Sequence, residues 1–117
     1  LTTDKNILIL WSKLVKLRAG NKCERCGATK FLQSHHIYGR TNYNLRYDLD
    51  NGCCLCAGHH KFFKDSAHND PLGFTEFMIE KRGMEWFLKL KDKAFKDVIK
   101  RDKTLIEEAL KKEMEKY

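Results

Sequence analysis

The sequence predicts an α+β fold in which helices at both ends flank a short, irregular, strand-bearing core. Three observations predict it. Apolar residues recur at helical spacing towards both termini. The middle of the chain loses that period and is dense in turn formers: Gly27, Gly39, Asn42, Asn44, Asn51 and Gly52. The 117 residues suit one domain, 1–117, whose hydrophobic core is modest and gains from a staple. The expected layout is an N-terminal helix within 1–20, a core over 21–66 and C-terminal helices over 70–117.

Ile7, Leu10, Trp11, Leu14 and Leu17 predict a helix over 4–19, capped by Thr3 or Asp4 and stopped at Gly20-Asn21. The stretch from Phe31 to Tyr38 is expected to supply one or two short strands. Asp70-Pro71 opens a second helix over 72–82, since proline is tolerated in a first turn. Gly83 separates it from one long helix expected over 84–115. There Phe87, Leu88, Phe95, Val98, Ile99, Leu105, Ile106, Ala109, Leu110 and Met114 form an apolar stripe. The stripe is expected to pack on the first helix or on a partner chain, so a monomer and a homodimer both fit.

Lys and Arg outnumber Asp and Glu by 23 to 16, a net charge of +7. Such an excess suits a polyanion, nucleic acid ahead of an anionic membrane surface. Most of it lies in residues 1–84, with 13 basic and 8 acidic side chains. The remaining stretch alternates in sign, as a solvated helix does. No apolar run approaches the roughly 18 residues of a membrane span. The stretch Ile7 to Trp11 is too short for a signal peptide. No membrane partner is expected.

Five cysteines stand at 23, 26, 53, 54 and 56, beside His35, His36, His59 and His60. Three cysteines within four residues do not suit a disulfide framework, whereas short Cys-x-x-Cys gaps among histidines suit metal binding in a reducing compartment. Cys23-Glu24-Arg25-Cys26 is a metal knuckle, with Gly27 allowing a tight turn behind it. One knuckle supplies two of the four ligands that a closed structural zinc site needs. From the spacing alone the second pair is open: Cys56 and His59, or Cys53 and Cys56.

Between and behind these residues lie Ser34-His35-His36-Ile37, then Asn51, then Leu55-Cys56-Ala57-Gly58-His59-His60-Lys61. This series resembles the HNH endonucleases, whose pattern is Asp-His, then Asn, then Leu-Cys-x-x-Cys followed at once by His or Asn. From Cys23 to about Leu88 the chain is most similar to the NinG/Rap-type recombination endonucleases of phages. The sequence departs from the HNH pattern in two places: His35 stands where many members carry Asp, and the downstream knuckle ends in His59 instead of Cys.

The resemblance implies a zinc-stabilised ββα-metal core with flanking helices and an enzyme that hydrolyses DNA phosphodiester bonds. Structural Zn2+ would be held by Cys23, Cys26, Cys56 and His59. His36 would be the general base, as an imidazole neutral near pH 7 suits that work. Asn51 would orient the His36 loop or ring, and His60, with His35, would hold a catalytic divalent ion. That ion would be Mg2+, Mn2+ or another transition metal, acting as a Lewis acid. The products implied are 5′-phosphate and 3′-hydroxyl ends. Arg40, Arg46 and Lys61 are the expected phosphate contacts. Lys64 is read as a solvated charge and His68 as an ordinary surface residue. Tyr38, Tyr43 and Tyr47 are read as packing residues, and Cys53 and Cys54 as spare buried thiols, Cys53 being a reserve zinc ligand. The setting implied is the cytoplasm of a bacterial or phage-infected cell, possible substrates including branched DNA in phage recombination. The alternatives are a non-catalytic zinc DNA-binding module and a restriction or homing-type enzyme.

Overall fold

The computed structural model describes residues 2–98 and 100–117. Leu1, and Ile99 of the expected apolar stripe, lie outside the described residues. Five elements build the first half: helix α1 (Asp4–Arg18), strand β1 (Leu32–His36), a single 3-10 turn (Leu49–Asn51), strand β2 (Gly52–Cys56) and a wide helical turn (Gly58–Phe62). Helices α2 (Pro71–Arg82), α3 (Met84–Ala94) and α4 (Lys103–Met114) follow. The chain is therefore α+β, with a two-stranded sheet among helices.

Thr3 caps α1, its hydroxyl accepting from the Asn6 N–H at 3.1 Å, and Asp4 sits in the first turn where the helix dipole favours an anion. Asp70 caps α2 in the same way through the Gly73 N–H. Gly83, at φ 97°, makes the sharp break between α2 and α3, a conformation that side chains avoid.

β1 and β2 pair antiparallel, with Leu32 opposite Cys56 and His36 opposite Gly52. Alternation along the strands sorts their side chains between two cores. Cys54 joins Ile7, Trp11, Leu14 and Val15 of α1, and Leu110 of α4, on one face. Cys53 and Leu55 join Cys23, Ala67, Phe74 and Met78 on the other. Gly52 lies under α1, where a Cβ would fall inside van der Waals contact with Val15 and 3.0 Å from the Trp11 ring. A bare backbone here lets α1 settle directly on the sheet.

The stretch 31–38 supplies one strand, within the one or two expected, and its partner is Gly52–Cys56, for which no strand was expected. One expectation about secondary structure needs correction. The helix expected over 84–115 is two helices with residues 95–102 between them. The reason is tertiary. Asn44 donates to the carbonyls of Lys93 and Lys96, Asn42 donates to that of Ala94, and Asp102 then caps α4 through the Thr104 N–H. The apolar stripe is correspondingly thin. Leu110 is buried, with Ile106 and Met114 packed on α1, while Phe95 and Val98 are 76% and 68% exposed.

Glu24 and Arg82 clamp the metal knuckle to the end of α2. Their side chains meet at 2.8 Å, Arg82 also donates to the carbonyls of Asp50 and Gly52, and Glu24 accepts from the Cys54 N–H. Among the described residues no helix is long and apolar enough to cross a membrane.

Candidate metal centres and the histidine cleft

Cys23, Cys26, Cys56 and His59 converge, all four ligand atoms lying within 4.8 Å of one another. The Cys26 and Cys56 sulfurs are 3.8 Å apart, and His59 Nδ1 is 3.9 Å from the Cys23 sulfur and 3.4 Å from that of Cys56. Tetrahedral Zn2+, with bonds of about 2.3 Å to sulfur and about 2.0 Å to nitrogen, separates its ligands by about 3.3–3.8 Å. The four residues fit such an ion. Burial alone would raise the Cys23 thiol, but backbone hydrogen bonds from Cys56, Cys26 and Arg25 overcome it and draw the group towards the thiolate that a metal requires.

The ambiguity over the second pair of ligands ends here. Cys53 is fully buried on the α2 side of the sheet, its sulfur 3.7 Å from that of Met78. Burial and the nearby Glu24 carboxylate push its thiol far up. Burial likewise raises Cys54 to about 11. Both are core thiols, outside the cluster.

A second cluster lies beyond the other end of β1's inward face. His35, His60 and His68 bring one ring nitrogen each within 4.8 Å of the others. His60 Nδ1 faces the Gln33 amide oxygen, which can only accept. The proton of His60 therefore sits on Nδ1, and its Nε2 presents a lone pair towards His68 Nε2, 3.2 Å away. Two imidazole nitrogens on adjacent corners of a tetrahedral or similar ion at about 2.0–2.1 Å stand about 3.3 Å apart. Burial first, and then the neighbouring imidazoles, hold His35 down to about 3. Burial, His68 and Lys61 hold His60 down to about 4. Three imidazoles without a carboxylate among them suit a transition-metal ion better than Mg2+.

His68 is exposed, as expected, but it is not an ordinary surface residue: its ring belongs to this cluster. Its spacing from His60 carries no ligand signature, and the loop after the helical turn brings it back. Ala67 N–H donates to His59 O, His68 N–H to His60 O, and the Asn69 amide to the carbonyls of Lys61 and Phe63.

His36 points the other way from β1, onto α1. Its ring lies parallel to that of Trp11, with centroids 3.8 Å apart and planes 13° apart. Trp11 is held in turn by Nε1 donating to Asp48 O at 2.9 Å. His36 Nε2 lies 2.9 Å from Arg46 O. A carbonyl accepts only, so Nε2 carries the proton and Nδ1 is left with its lone pair. Burial lowers the His36 pKa, with the Arg46 carbonyl opposing and the Arg40 and Arg46 charges assisting. The ring is neutral at pH 7.

Asn51 is fully buried beneath this loop. Its Oδ1 accepts from Tyr38 N–H at 2.8 Å, and its Nδ2 donates to Tyr38 O and Leu45 O. It thereby pins the backbone two residues beyond His36.

Arg46 also needs correction. It was expected to contact phosphate, yet its guanidinium is bound to both Asp4 carboxylate oxygens, at 2.7 and 2.9 Å, and to Arg40 O. Tyr47 OH donates to the same carboxylate. Arg46 braces the carbonyl that holds His36.

His35, His36, His60 and His68 all line one cleft of about 890 Å3 bordered by α1. Arg40 and Lys61 line it too, with Lys5, Lys13 and Lys16 of α1. Its lone acid, Asp4, is the one already bound to Arg46 and Tyr47. Tyr38, Tyr43 and Tyr47 are not part of its lining.

No family model, curated protein or solved structure matches this chain.

Proposed function

We propose that this protein is a metal-dependent endonuclease of the HNH, ββα-metal type that hydrolyses DNA phosphodiester bonds. The single observation that carries the reading is a neutral imidazole with a free Nδ1, His36, in the same cation-lined cleft as a three-histidine cluster. A purely structural zinc module has no use for that pair.

In this reading His36 Nδ1 takes the proton of a water molecule as its oxygen attacks phosphorus in line. The bond from phosphorus to the 3′-oxygen breaks, leaving a 5′-phosphate and a 3′-alkoxide that takes up a proton from solvent. The imidazolium formed keeps its Nε2–H on Arg46 O and faces the Trp11 ring, and both interactions favour the cation. Asn51 fixes the loop that aims the ring. His35, His60 and His68 would hold a divalent ion, whose chemistry when bound is Lewis-acid stabilisation of the phosphate and leaving oxygen. Gln33 orients His60 for that work. Cys23, Cys26, Cys56 and His59 would hold structural zinc at the root of the hairpin.

The test is incubation of the zinc-loaded protein with supercoiled plasmid and with branched and linear DNAs, each with Mg2+, Mn2+, Co2+ or Ni2+. Nicked or linear products with 5′-phosphate ends, made best with a transition metal, are expected. No cleavage of any substrate with any of the ions would overturn the assignment.

A further inference from the structure

Apart from Trp11, the cleft wall formed by α1 has no role in the chemistry above. Lys5, Ile9, Ser12, Lys13 and Lys16 all line the cleft. They fall on the helix face opposite the buried Ile7, Leu14 and Val15, as their spacing of three and four requires. Among the described residues Lys5, Lys13, Lys16, Arg40 and Lys61 take part in no ion pair and no side-chain hydrogen bond. Elsewhere the surface cations are often matched, as in Arg18 with Asp50, Lys93 with Asp48 and Lys96 with Asp92. Five unmatched cations lining one cleft repel, and an anionic occupant relieves that cost. The wall also lacks a base-stacking platform. The cleft's one aromatic besides histidine, Trp11, is 1% exposed and covered by His36. The chemistry on offer is therefore repeated negative charge, without side chains arranged to read bases.

We propose that α1 is a backbone-tracking wall: Lys5, Lys13 and Lys16 bind successive phosphates of a nucleic-acid strand, which Arg40 and Lys61 flank from the other side. Lys5 to Lys16 spans about 16 Å of helix axis at about 1.5 Å per residue, room for several phosphates. Ile9, 59% exposed between the lysines, packs on the sugar edge of the strand. The strand passes with one phosphate at the histidines and its neighbours along α1. The inference rests on the nuclease reading for the identity of the polyanion as DNA.

The test is binding of a fluorescein-labelled duplex of arbitrary sequence, by anisotropy over a range of KCl concentrations, with the zinc-loaded protein carrying His36→Ala so that the probe stays whole. Adding Lys5→Ala, Lys13→Ala and Lys16→Ala is expected to weaken binding about 10-fold or more and to reduce the slope of log K on log salt by about 2–3. The loss should be equal for unrelated sequences, and Lys5→Arg, Lys13→Arg and Lys16→Arg together should retain binding. Unchanged affinity and slope in the triple alanine variant, with an unchanged thermal melt, would overturn the wall. Cleavage by the otherwise native chain is assayed in parallel. Its absence, with the lysine-dependent binding intact, would sink the hydrolytic reading and leave the wall standing.

Discussion

The imidazole of His36 lies flat on the indole of Trp11, centroids 3.8 Å apart, and this stack exists because the residue opposite His36 in the sheet is glycine. At position 52 any side chain would meet Val15 and Trp11. Gly52→Ala is therefore expected to cost about 1–3 kcal/mol in denaturant unfolding, as overpacking does, and to lower cleavage more than metal content. Pairing it with Val15→Ala should recover part of the stability, because Val15 Cγ2 is the nearest atom. A Gly52→Ala protein as stable as the parent would show that α1 sits farther from the sheet.

The two metal clusters should separate experimentally. Cys23→Ser removes a ligand of the four-residue cluster and is expected to unfold or aggregate the domain with loss of zinc. His68→Ala leaves that cluster intact and should keep one zinc per chain and a near-parental melt. It should abolish tight binding of the second, exchangeable ion. Gln33→Ala, which removes only the partner of His60 Nδ1, should weaken that second ion by about 10–100-fold. Titration with Mn2+ or Co2+, with metal content read by atomic emission, checks all three. Loss of both metals in His68→Ala would contradict the division.

Acid sensitivity offers an independent handle on the brace beneath His36. The Arg46 guanidinium holds the Asp4 carboxyl down from 3.8 to about 2. A carboxyl lowered in the folded state stabilises it fully above its unfolded pKa and loses that effect as pH falls through the folded value. The stability difference between the native chain and Asp4→Asn should thus be constant from neutral pH to about 4, and shrink towards zero near pH 2. Taking the difference cancels the acid sensitivity of the zinc ligands. A gap that is flat through this window would mean that Asp4 is not paired in solution.

What the sequence disclosed was local in origin. Cys23-x-x-Cys26 and Cys56-x-x-His59 each place two ligands on one turn, so spacing narrowed the second pair to two choices and the family resemblance favoured Cys56 and His59. Helices α1 and α2 were legible from their caps and periodicity. What stayed hidden depends on distant partners. His68 joins His35 and His60 through loop hydrogen bonds that have no sequence signature. The break after α3 is made by Asn42 and Asn44, about fifty residues upstream, where periodicity and alternating charge favoured a continuous helix. Arg46 looks like any cleft arginine until Asp4 is placed beside it. The lysines of α1 entered only as part of the basic excess of residues 1–84, because their shared surroundings appear only once the helix has packed.

The most direct measurement is plasmid cleavage by His36→Ala against the native chain, both zinc-loaded and matched in DNA binding and metal content. A base lost from the transition state should slow cleavage by about 10²–10⁴-fold while both metal stoichiometries stay as they were. Cleavage by His36→Ala at the native rate would contradict the assignment of proton abstraction to this ring and, with it, the nuclease mechanism proposed for the cleft.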